Sequence, residues 1–465
     1  MKTSHTFERI SDYLWQVPKT FQAGMRVPAR VYSSEEMLNA IVEDGAWLQV
    51  VNMSFLPGIV DYALAMPDVH YGYGFPIGGV AAFDPEEGGI VSPGGVGYDI
   101  NCGVRLLETQ LSFEDLRPRL RDLLYKLASY VPAGLGSKGL EKVSGHDLNS
   151  ILENGASWAV KQGMGEPEDL EHTEERGCIV TAQPDCVSAN AKESGRPQLG
   201  SLGSGNHFLE IQRVETVYDP ITAAKFGLFE GQITVMVHCG SRKLGYNVCE
   251  EYVRLMKRNL TKYNLVLPDQ QLACAPLNSS EGQQYLAAMA AAANYAWANR
   301  QVIAHNIRQA FREVLGKQAG PITQVYDVAH NIAKFENFRN KKLCIHRKGA
   351  TRAYPCQPVL IPGSMGTASY VLTGTEKAME KTFGSVCHGA GRVMSRKSAL
   401  RQFSAGDIIR DLEKKNILIY AASKSGIVEE APQVYKNIDE VVNVLEQAGL
   451  AKKVARLKPL AVIKG

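Results

Sequence analysis

Residues 66–107 read MPDVHYGYGFPIGGVAAFDPEEGGIVSPGGVGYDINCGVRLL, and the rest of the fold is organised around this glycine-dense stretch. Glycine loses the most conformational freedom on folding, so proteins concentrate it where the backbone turns sharply or approaches something closely. Asp99 and Cys102 stand three residues apart on this backbone. A carboxylate and a thiol at that spacing can chelate one metal ion. A glycine-rich turn with a buried structural cysteine is the alternative interpretation.

The composition is that of an ordinary globular protein. The chain has 465 residues, 45% of them hydrophobic and 21% charged, which suffices for one large or two ordinary domains. No apolar run reaches the ~18–20 residues of a membrane helix, and the N-terminus lacks the apolar core of a signal peptide. Nine cysteines without a CxxC pair favour reduced thiols over a disulfide framework. We therefore expect a cytoplasmic protein with no membrane partner.

Strands and helices are predicted to mix without a strict βαβ alternation, which is typical of the α+β class. Strands are predicted over residues 80–83, 104–108, 207–212, 232–238, 324–329, 342–347 and 359–361. Helices are predicted after a cap at Ser34 and over residues 112–130, 150–162, 247–260, 282–315, 408–415 and 438–447. We expect a single large mixed α/β domain over residues 1–465, with its metal site at strand ends and loops. Its expected subdivisions are an N-terminal lead over residues 1–33 and a mobile insertion over residues 131–200.

Four of the ten histidines lie at the edge of a predicted strand or loop, beside glycine, asparagine or serine. They are His207 in GSGNHFLE, His238 in VHCGSR, His330 in AHNIA and His388 in CHGAGR. A strand end is where a rigid element presents a side chain to a site. One such histidine is usually structural, but four of them together with Asp99 and Cys102 indicate a functional site.

One carboxylate, one thiolate and three imidazoles are more ligands than one ion needs if water or substrate must also bind. The set suits two divalent ions that share a bridging thiolate, and paired metals can clamp the entering and leaving oxygens of a phosphate. Cysteine and histidine ligands favour zinc, whereas a carboxylate and water favour manganese or magnesium. Composition leaves the choice between these metals open.

Basic residues closely follow three histidine motifs, beginning at Arg242, Arg347 and Arg392. Arginine and lysine near a metal site, with glycine loops that expose backbone N–H groups, indicate a phosphate-rich substrate. A solvated surface is the alternative interpretation of these charges. The sequence has no GxxxxGK[ST] loop, which argues against a P-loop nucleotidase. His388 in its glycine loop suits a nucleophile, because neutral imidazole is nucleophilic at neutral pH.

Eight motifs in this order resemble the RtcB family of RNA ligases. They are MPDVHYGYGFPIGG, SPGGVGYDINCGVR, GSGNHFLE, VHCGSRKLG, AHN, PGSMGTASY, CHGAGR and the final Lys-Gly. The resemblance implies an enzyme that joins RNA 2′,3′-cyclic phosphate or 3′-phosphate ends to 5′-hydroxyl ends, in tRNA splicing and RNA repair. One departure is visible, because Val69 and Tyr71 stand where the family often has glycine and glutamine. We expect this difference to affect how RNA is held rather than the reaction.

The resemblance also implies the cofactors and the metal ligands. Two manganese ions and GTP are the implied cofactors. Asp99, Cys102 and His207 resemble the ligands of one manganese ion. Cys102, His238 and His330 resemble those of the other, with Cys102 bridging. The implied partners are tRNA halves or broken RNA ends, and an archease-like activator is a further candidate.

The implied reaction has three steps. Metal-bound water opens a cyclic phosphate, His388 takes GMP from GTP as a phosphoramidate and passes it to the RNA 3′-phosphate, and the 5′-hydroxyl then expels GMP. Asp68 matches a catalytic acidic residue, Arg242 would contact phosphate, and Glu210 would meet the guanine N–H edge. The implied guanylate-binding residues are Asn206, His207, Phe208, Leu209, Glu210, His330, Asn331, Pro362, Gly363, Ser364, Met365, Ser369, His388, Gly389, Ala390, Gly391 and Lys464.

Two other functions fit parts of this pattern. A dinuclear metallophosphoesterase would use the same metal ligands and would form no guanylylated protein. A catalytically inactive RNA-binding protein would bind RNA with a salt-dependent affinity and would ignore GTP. The complete ligand set argues against the inactive protein, because a binding module has no use for Cys102 beside three strand-end histidines.

Overall fold

The fold is built mainly on two large β-sheets, which the computed structural model describes over residues 6–465. The described strands, numbered in chain order, are β1 (Glu8–Ser11), β2 (Leu14–Val17), β3 (Ala29–Tyr32), β4 (Ala63–His70), β5 (Ile77–Phe83), β6 (Ile90–Val91), β7 (Gly103–Ser112), β8 (Phe208–Val217), β9 (Gln232–Cys239), β10 (Ala275–Pro276), β11 (Ile322–Ala329), β12 (Asn331–Phe338), β13 (Lys341–Lys348), β14 (Ala350–Arg352), β15 (Pro358–Ile361), β16 (Ser369–Gly374), β17 (Ser385–Cys387), β18 (Leu418–Ala421) and β19 (Ala451–Lys464).

Helices of very different lengths connect and cover these strands. The described α-helices are α1 (Glu35–Asp44), α2 (Ala46–Met53), α3 (Pro93–Val96), α4 (Phe113–Leu116), α5 (Leu120–Tyr130), α6 (Gly145–Asn154), α7 (Ala156–Lys161), α8 (Pro167–Glu171), α9 (Ala189–Gly195), α10 (Pro220–Lys225), α11 (Arg242–Asn259), α12 (Ser280–Leu315), α13 (Glu376–Lys381), α14 (Arg396–Gln402), α15 (Ala405–Lys414), α16 (Lys424–Glu429) and α17 (Ile438–Gln447).

The two large sheets are predominantly antiparallel. The first has seven strands in the order β1-β2-β3-β4-β5-β13-β12. The second has eight, in the order β11-β7-β9-β8-β19-β16-β15 with β18 beside β19. The β3–β4 and β18–β19 pairs are parallel. The chain passes from the second sheet to the first at His330, the one residue between β11 and β12.

Helix α12 forms the centre of the largest hydrophobic core. It has 36 residues, which at about 1.5 Å per residue makes it roughly 54 Å long. The Ser279 side chain caps it by accepting the backbone N–H of Gly282. Alanines such as Ala288 and Ala292 are fully buried, and their small side chains let neighbouring elements approach the helix closely. The helix can therefore support loops from several distant parts of the chain.

The predicted α+β class is confirmed, and most predicted elements overlap observed ones. The helix predicted over residues 112–130 is divided into α4 and α5, because Pro118 has no N–H to donate and falls in a 3₁₀ turn. Several strands were not predicted, among them the long strands β4 and β19. Each contains a proline, Pro67 and Pro459, which argues against a central strand. Both prolines lie where the strand register shifts, and such irregularities tolerate a missing donor.

The segment predicted as an irregular insertion, residues 131–200, contains helices α6 to α9. Leu148, Ile151 and Ala159 from α6 and α7 are buried in the core cluster that contains much of α12. The mobility of this segment and the division of the chain into one domain with a lead stay predictions. None of the described helices combines the length and the hydrophobicity needed to cross a membrane.

Candidate metal centre and active site

The predicted metal ligands meet at one edge of the second sheet. β7 begins directly after Cys102, and β8 begins directly after His207. β9 carries His238 as its penultimate residue, and β11 ends one residue before His330. In the order β11-β7-β9-β8 each strand is antiparallel to its neighbour, so the starts of β7 and β8 lie beside the ends of β9 and β11. The sheet topology thus brings four distant segments of the chain together.

Two groups of ligand atoms share Cys102. One group is Asp99, Cys102 and His207, the other is Cys102, His238 and His330, and within each the ligand atoms lie within 4.8 Å of one another. Cys102 Sγ lies 3.5 Å from His207 Nε2 and 3.2 Å from His238 Nε2. Asp99 Oδ2 lies 2.8 Å from His207 Nε2. These five residues, hereafter the metal cluster, have a donor set that fits divalent cations, and Cys102 belongs to both groups.

The pKa values within the metal cluster reflect burial and crowding. Burial raises the pKa of the Cys102 thiol to about 12. Burial and the neighbouring imidazoles hold the pKa values of His238 and His330 well below their usual range. Burial alone would lower the pKa of His207, but the nearby thiols and Asp99 raise it well above its ordinary value. A divalent cation suits such a site, because it favours the thiolate and neutral imidazoles over their protonated forms.

Helix α12 holds the loops that carry the ligands. The Arg300 guanidinium donates to the backbone carbonyls of Asn101 and Cys239, both at 2.8 Å, and pairs with the Asp327 carboxylate at 2.8 Å. The amide of Asn299 donates to the Cys239 sulfur at 3.2 Å. These side chains are buried, so their hydrogen bonds do not compete with water. The loop before β7 and the end of β9 are therefore attached to the same helix.

His388 lies next to the metal cluster, directly after β17. Its ring centroid is 4.9 Å from that of His330. Its Nδ1 lies 2.6 Å from Oδ2 of Asp68, which also accepts the His388 backbone N–H at 3.1 Å. Asp68 is fully buried near the end of β4. Because an ionised carboxylate only accepts hydrogen bonds, Nδ1 holds the proton and Nε2 keeps a free lone pair. Asp68 therefore fixes the orientation of the His388 ring.

A cavity of about 290 Å³ opens beside His388, close to the lower limit for small-molecule sites. Most of the predicted guanylate-binding residues line it. They are Asn206, Phe208, His330, Asn331, Pro362, Gly363, Ser364, His388, Gly389, Ala390, Gly391 and Lys464. These residues come from five separate segments of the chain, which the fold brings together in one wall.

Four predicted guanylate-binding residues, other than the metal ligands, lie outside this lining. Glu210 and Ser369 stand behind it, where the Gln212 amide donates to them at 2.8 and 3.1 Å. Leu209 points to the opposite face of β8, into a hydrophobic core cluster, because neighbours alternate along a strand. Met365 is buried in another core cluster. Through their side chains, Leu209 and Met365 contribute to packing rather than to the cavity wall.

One of the two carboxyl oxygens of buried Glu210 lacks a hydrogen-bond donor. Its Oε1 has no hydrogen-bond partner among the described residues, and burial raises its pKa to about 8. A buried polar atom without a partner costs free energy that a ligand can recover by hydrogen bonding. Lys464, which lines the cavity, is also buried, and burial lowers its pKa to about 8. A guanine N–H edge would fit the acceptor, and phosphate would fit the lysine.

Arg242 and Lys348 take different positions relative to the cavity. Arg242 does not line the cavity, and its guanidinium lies 3.3 Å from Ser201 Oγ and 3.4 Å from Ser137 Oγ. Lys348 does line the cavity, and its ammonium donates to the Phe75 carbonyl at 2.9 Å. Burial lowers the pKa of Lys348 to about 7. A lysine in a run of basic residues is normally expected at the surface, so the sequence alone does not predict that Lys348 is buried.

The fold and the site define a protein of the α+β class with a candidate dinuclear metal centre beside an oriented histidine. A family model described as tRNA-splicing ligase RtcB matches residues 49–465. The chain is 53% identical to the tRNA-splicing ligase RtcB of Archaeoglobus fulgidus and 50% identical to that of Thermococcus kodakarensis, over 100% of each chain. It is 48% identical to that of Aeropyrum pernix, over 98% of this chain and 99% of the relative. The chain therefore belongs to the RtcB family of tRNA-splicing ligases.

Proposed function

We propose that this chain is a GTP-dependent RNA ligase that joins RNA 3′-phosphate or 2′,3′-cyclic phosphate ends to 5′-hydroxyl ends, in tRNA splicing and RNA repair. Its relatives are named tRNA-splicing ligases, which supports RNA as the substrate. The position of His388 is the observation that carries the mechanism. Asp68 orients its ring, which lies beside the metal cluster and lines the cavity. An archease-like activator is part of the proposal as a further partner.

The first chemical step uses His388 as the nucleophile. Nε2 attacks the α-phosphorus of GTP, a P–N bond forms, the bond to the β-phosphate oxygen breaks, and pyrophosphate leaves. Asp68 keeps the proton on Nδ1, so the attacking lone pair stays on Nε2. The buried carboxylate also stabilises the positive charge that develops on the ring during the attack. The product is GMP attached to His388.

Two further steps transfer GMP and then release it. A cyclic end must first be hydrolysed to a 3′-phosphate. An oxygen of that 3′-phosphate attacks the GMP phosphorus, the P–N bond breaks, and His388 recovers its lone pair. The 5′-hydroxyl of the second RNA then attacks the RNA 3′-phosphorus, loses its proton and expels GMP. Splitting the reaction in this way replaces a poor leaving group with a good one.

Several residues would prepare the site for this chemistry. The metal cluster would hold two divalent cations, proposed to be manganese. Bound cations neutralise charge on phosphoryl oxygens during transfer. Lys464 and Arg392 line the cavity and place further positive charge near the phosphates. Glu210 would accept N–H groups of guanine from behind the cavity wall, which would give GTP preference over ATP.

Incubation with α-labelled GTP and manganese tests this proposal. The wild-type protein should acquire a label that is acid-labile and base-stable, as a phosphoramidate is. His388→Ala should keep both metal ions yet lose the label and the joining of 3′-phosphate ends, because the nucleophile is gone. His305→Ala, at a partly buried histidine of α12 outside the cavity, is the matched control and should label normally.

The other outcomes would favour the alternative functions. A wild-type protein that hydrolyses phosphate esters without taking up label would be a metallophosphoesterase. A protein that binds RNA and does not respond to GTP would be an inactive RNA-binding protein. Labelling that persists in His388→Ala would show that another residue is the nucleophile.

A further inference from the structure

Three tyrosines, hereafter the tyrosine stack, lead from the cavity to the protein surface. Tyr73 and Tyr98 line the cavity, and Tyr246 on α11 is 39% exposed. The ring centroids of Tyr73 and Tyr98 are 5.6 Å apart in an edge-to-face arrangement. Those of Tyr98 and Tyr246 are 4.9 Å apart, with an angle of 24° between the ring planes. The stack is therefore continuous from the cavity wall to solvent.

The tyrosine stack is connected to the metal cluster through the backbone. Tyr98 is the residue before Asp99, and α11 begins shortly after His238. A group that binds along the stack would thus lead towards the atoms that the proposed reaction uses. The proposed chemistry of GTP does not use the exposed ring of Tyr246.

Two lysines accompany the tyrosine stack. Lys243 Nζ lies 3.8 Å from the centroid of the Tyr246 ring, and Lys257 Nζ lies 5.7 Å from that of Tyr73. Lys243 is exposed, so its ammonium can move from the ring to a ligand. The neighbouring carboxylate of Glu250 is paired with a guanidinium of its own helix at 2.6 Å. The surface therefore combines aromatic faces with mobile positive charge.

We propose that the tyrosine stack binds the single-stranded RNA end that enters the cavity. A base would extend the stack on Tyr246, and Lys243 would move from the ring to a phosphate of the same strand. Every base has a π face, so such stacking holds RNA without sequence preference. Lysine contacts to phosphate add a salt-dependent attraction. This inference rests on the proposed function and adds the path by which RNA reaches His388.

Fluorescence anisotropy with a short single-stranded RNA, carrying either a 3′-phosphate or a 5′-hydroxyl end, tests the inference. Tyr246→Ala should weaken binding at least about fivefold, the scale of one base–aromatic stack, whereas Tyr246→Phe and Tyr246→Trp should bind like the wild type. All three should still be labelled by GTP, which also shows that they fold. Tyr125→Ala removes a similarly exposed tyrosine of α5, 55% exposed, and should bind normally.

A set of RNAs, each lacking the base at one position, distinguishes lost base stacking from altered protein packing in Tyr246→Ala. Removal of the base that stacks on Tyr246 should weaken binding to the wild type. The same removal should not weaken binding to Tyr246→Ala, because this variant has already lost the stacking contact. Tyr246→Leu replaces the alanine variant in this comparison if the latter does not fold. Lys243→Ala should reduce the slope of log affinity against log salt by about 0.7, the value for one phosphate contact on a single strand.

Normal RNA binding by Tyr246→Ala, or the absence of any position with this coupling, would overturn the inference. A duplex RNA should show no dependence on Tyr246, because its bases are already stacked on one another. A wild-type protein that takes up no label from GTP would overturn the proposed function instead. The two failures are distinguishable, because RNA binding is measured without GTP.

Discussion

Buried histidines occur in two different settings in this molecule, around His346 and in the metal cluster. His346 on β13 is surrounded by aromatic rings, with the centroids of Phe75 and Phe83 at 6.0 and 5.0 Å. Its Nε2 accepts the backbone N–H of Ser92 at 3.2 Å. Burial lowers the pKa of His346 to about 3, so the ring stays neutral. The protein itself satisfies this histidine, which is what a structural role requires.

The metal cluster has the opposite arrangement. The Nε2 atoms of His238 and His330 stand 3.2 Å apart, and Nδ1 of His330 has no partner among the described residues. Burial keeps both rings neutral, so at most one of the two facing nitrogens can donate a hydrogen bond. The difference between the two settings teaches that burial alone does not identify a functional histidine. A buried ring nitrogen without a partner, in a group of converging ligand atoms, is the more specific sign of a cation site.

The largest expected effect comes from removing the sulfur that both ligand groups share. Cys102→Ala should lose at least one of two bound metal ions and abolish RNA joining, because Cys102 belongs to both groups. Metal analysis of the purified variant, together with a joining assay, measures this. Cys344→Ala is the control, since Cys344 is a buried cysteine whose sulfur lies 4.0 Å from His346 Nδ1. It should keep both metals and lose only about 1 kcal/mol of stability. Full metal content and joining in Cys102→Ala would refute the bridging role.

The two histidine settings can be compared directly by the same substitution in each. His330→Gln should lose a metal ion and slow joining by roughly 100-fold or more, because a metal ligand and a residue of the cavity wall are both changed. His346→Gln should keep metal and activity but lower the free energy of unfolding by about 1–3 kcal/mol, because it disturbs the Ser92 hydrogen bond. Denaturant unfolding of the metal-free proteins and metal analysis give the two quantities. Loss of metal in His346→Gln would show that His346 also supports the metal site.

The metal cluster was predictable because each ligand lies in a short glycine-flanked motif at a strand end. The pairing of Asp68 with His388 was not predictable from local pattern, because 320 positions separate the two residues. Strand alternation does explain why Phe208 and Glu210 share one face of β8 and Leu209 lies on the other, although the resemblance gave all three the same role. The tyrosine stack was missed because three separate segments supply its rings, and no local pattern predicts that these rings meet.

The smallest expected effect concerns Glu210, a third kind of buried group, whose Oε1 has no partner among the described residues. Burial raises its pKa from 4.5 to about 8 in the folded protein. The folded state therefore holds a proton that the unfolded chain loses, so its contribution to stability is full below about pH 4.5 and is lost as pH rises towards about 8. Glu210→Gln cannot ionise and should be more stable than the wild type near pH 8 by roughly a few kcal/mol at most, without GTP. Thermal unfolding at several pH values measures the difference.

GTP should favour the wild-type carboxylate at position 210 over glutamine. The N–H groups of guanine donate to a carboxylate, so binding would lower the pKa of Glu210 and release a proton near neutral pH. Glu210→Gln should then bind GTP roughly 10-fold or more weakly, the scale of a hydrogen bond to a charged group, even though its folded state is more stable. Calorimetric titration in two buffers of different ionisation enthalpy measures both the affinity and the proton release. A variant with unchanged GTP affinity would show that Glu210 does not contact the base. The pH-dependent stability would then reflect the cost of burying this carboxyl group alone.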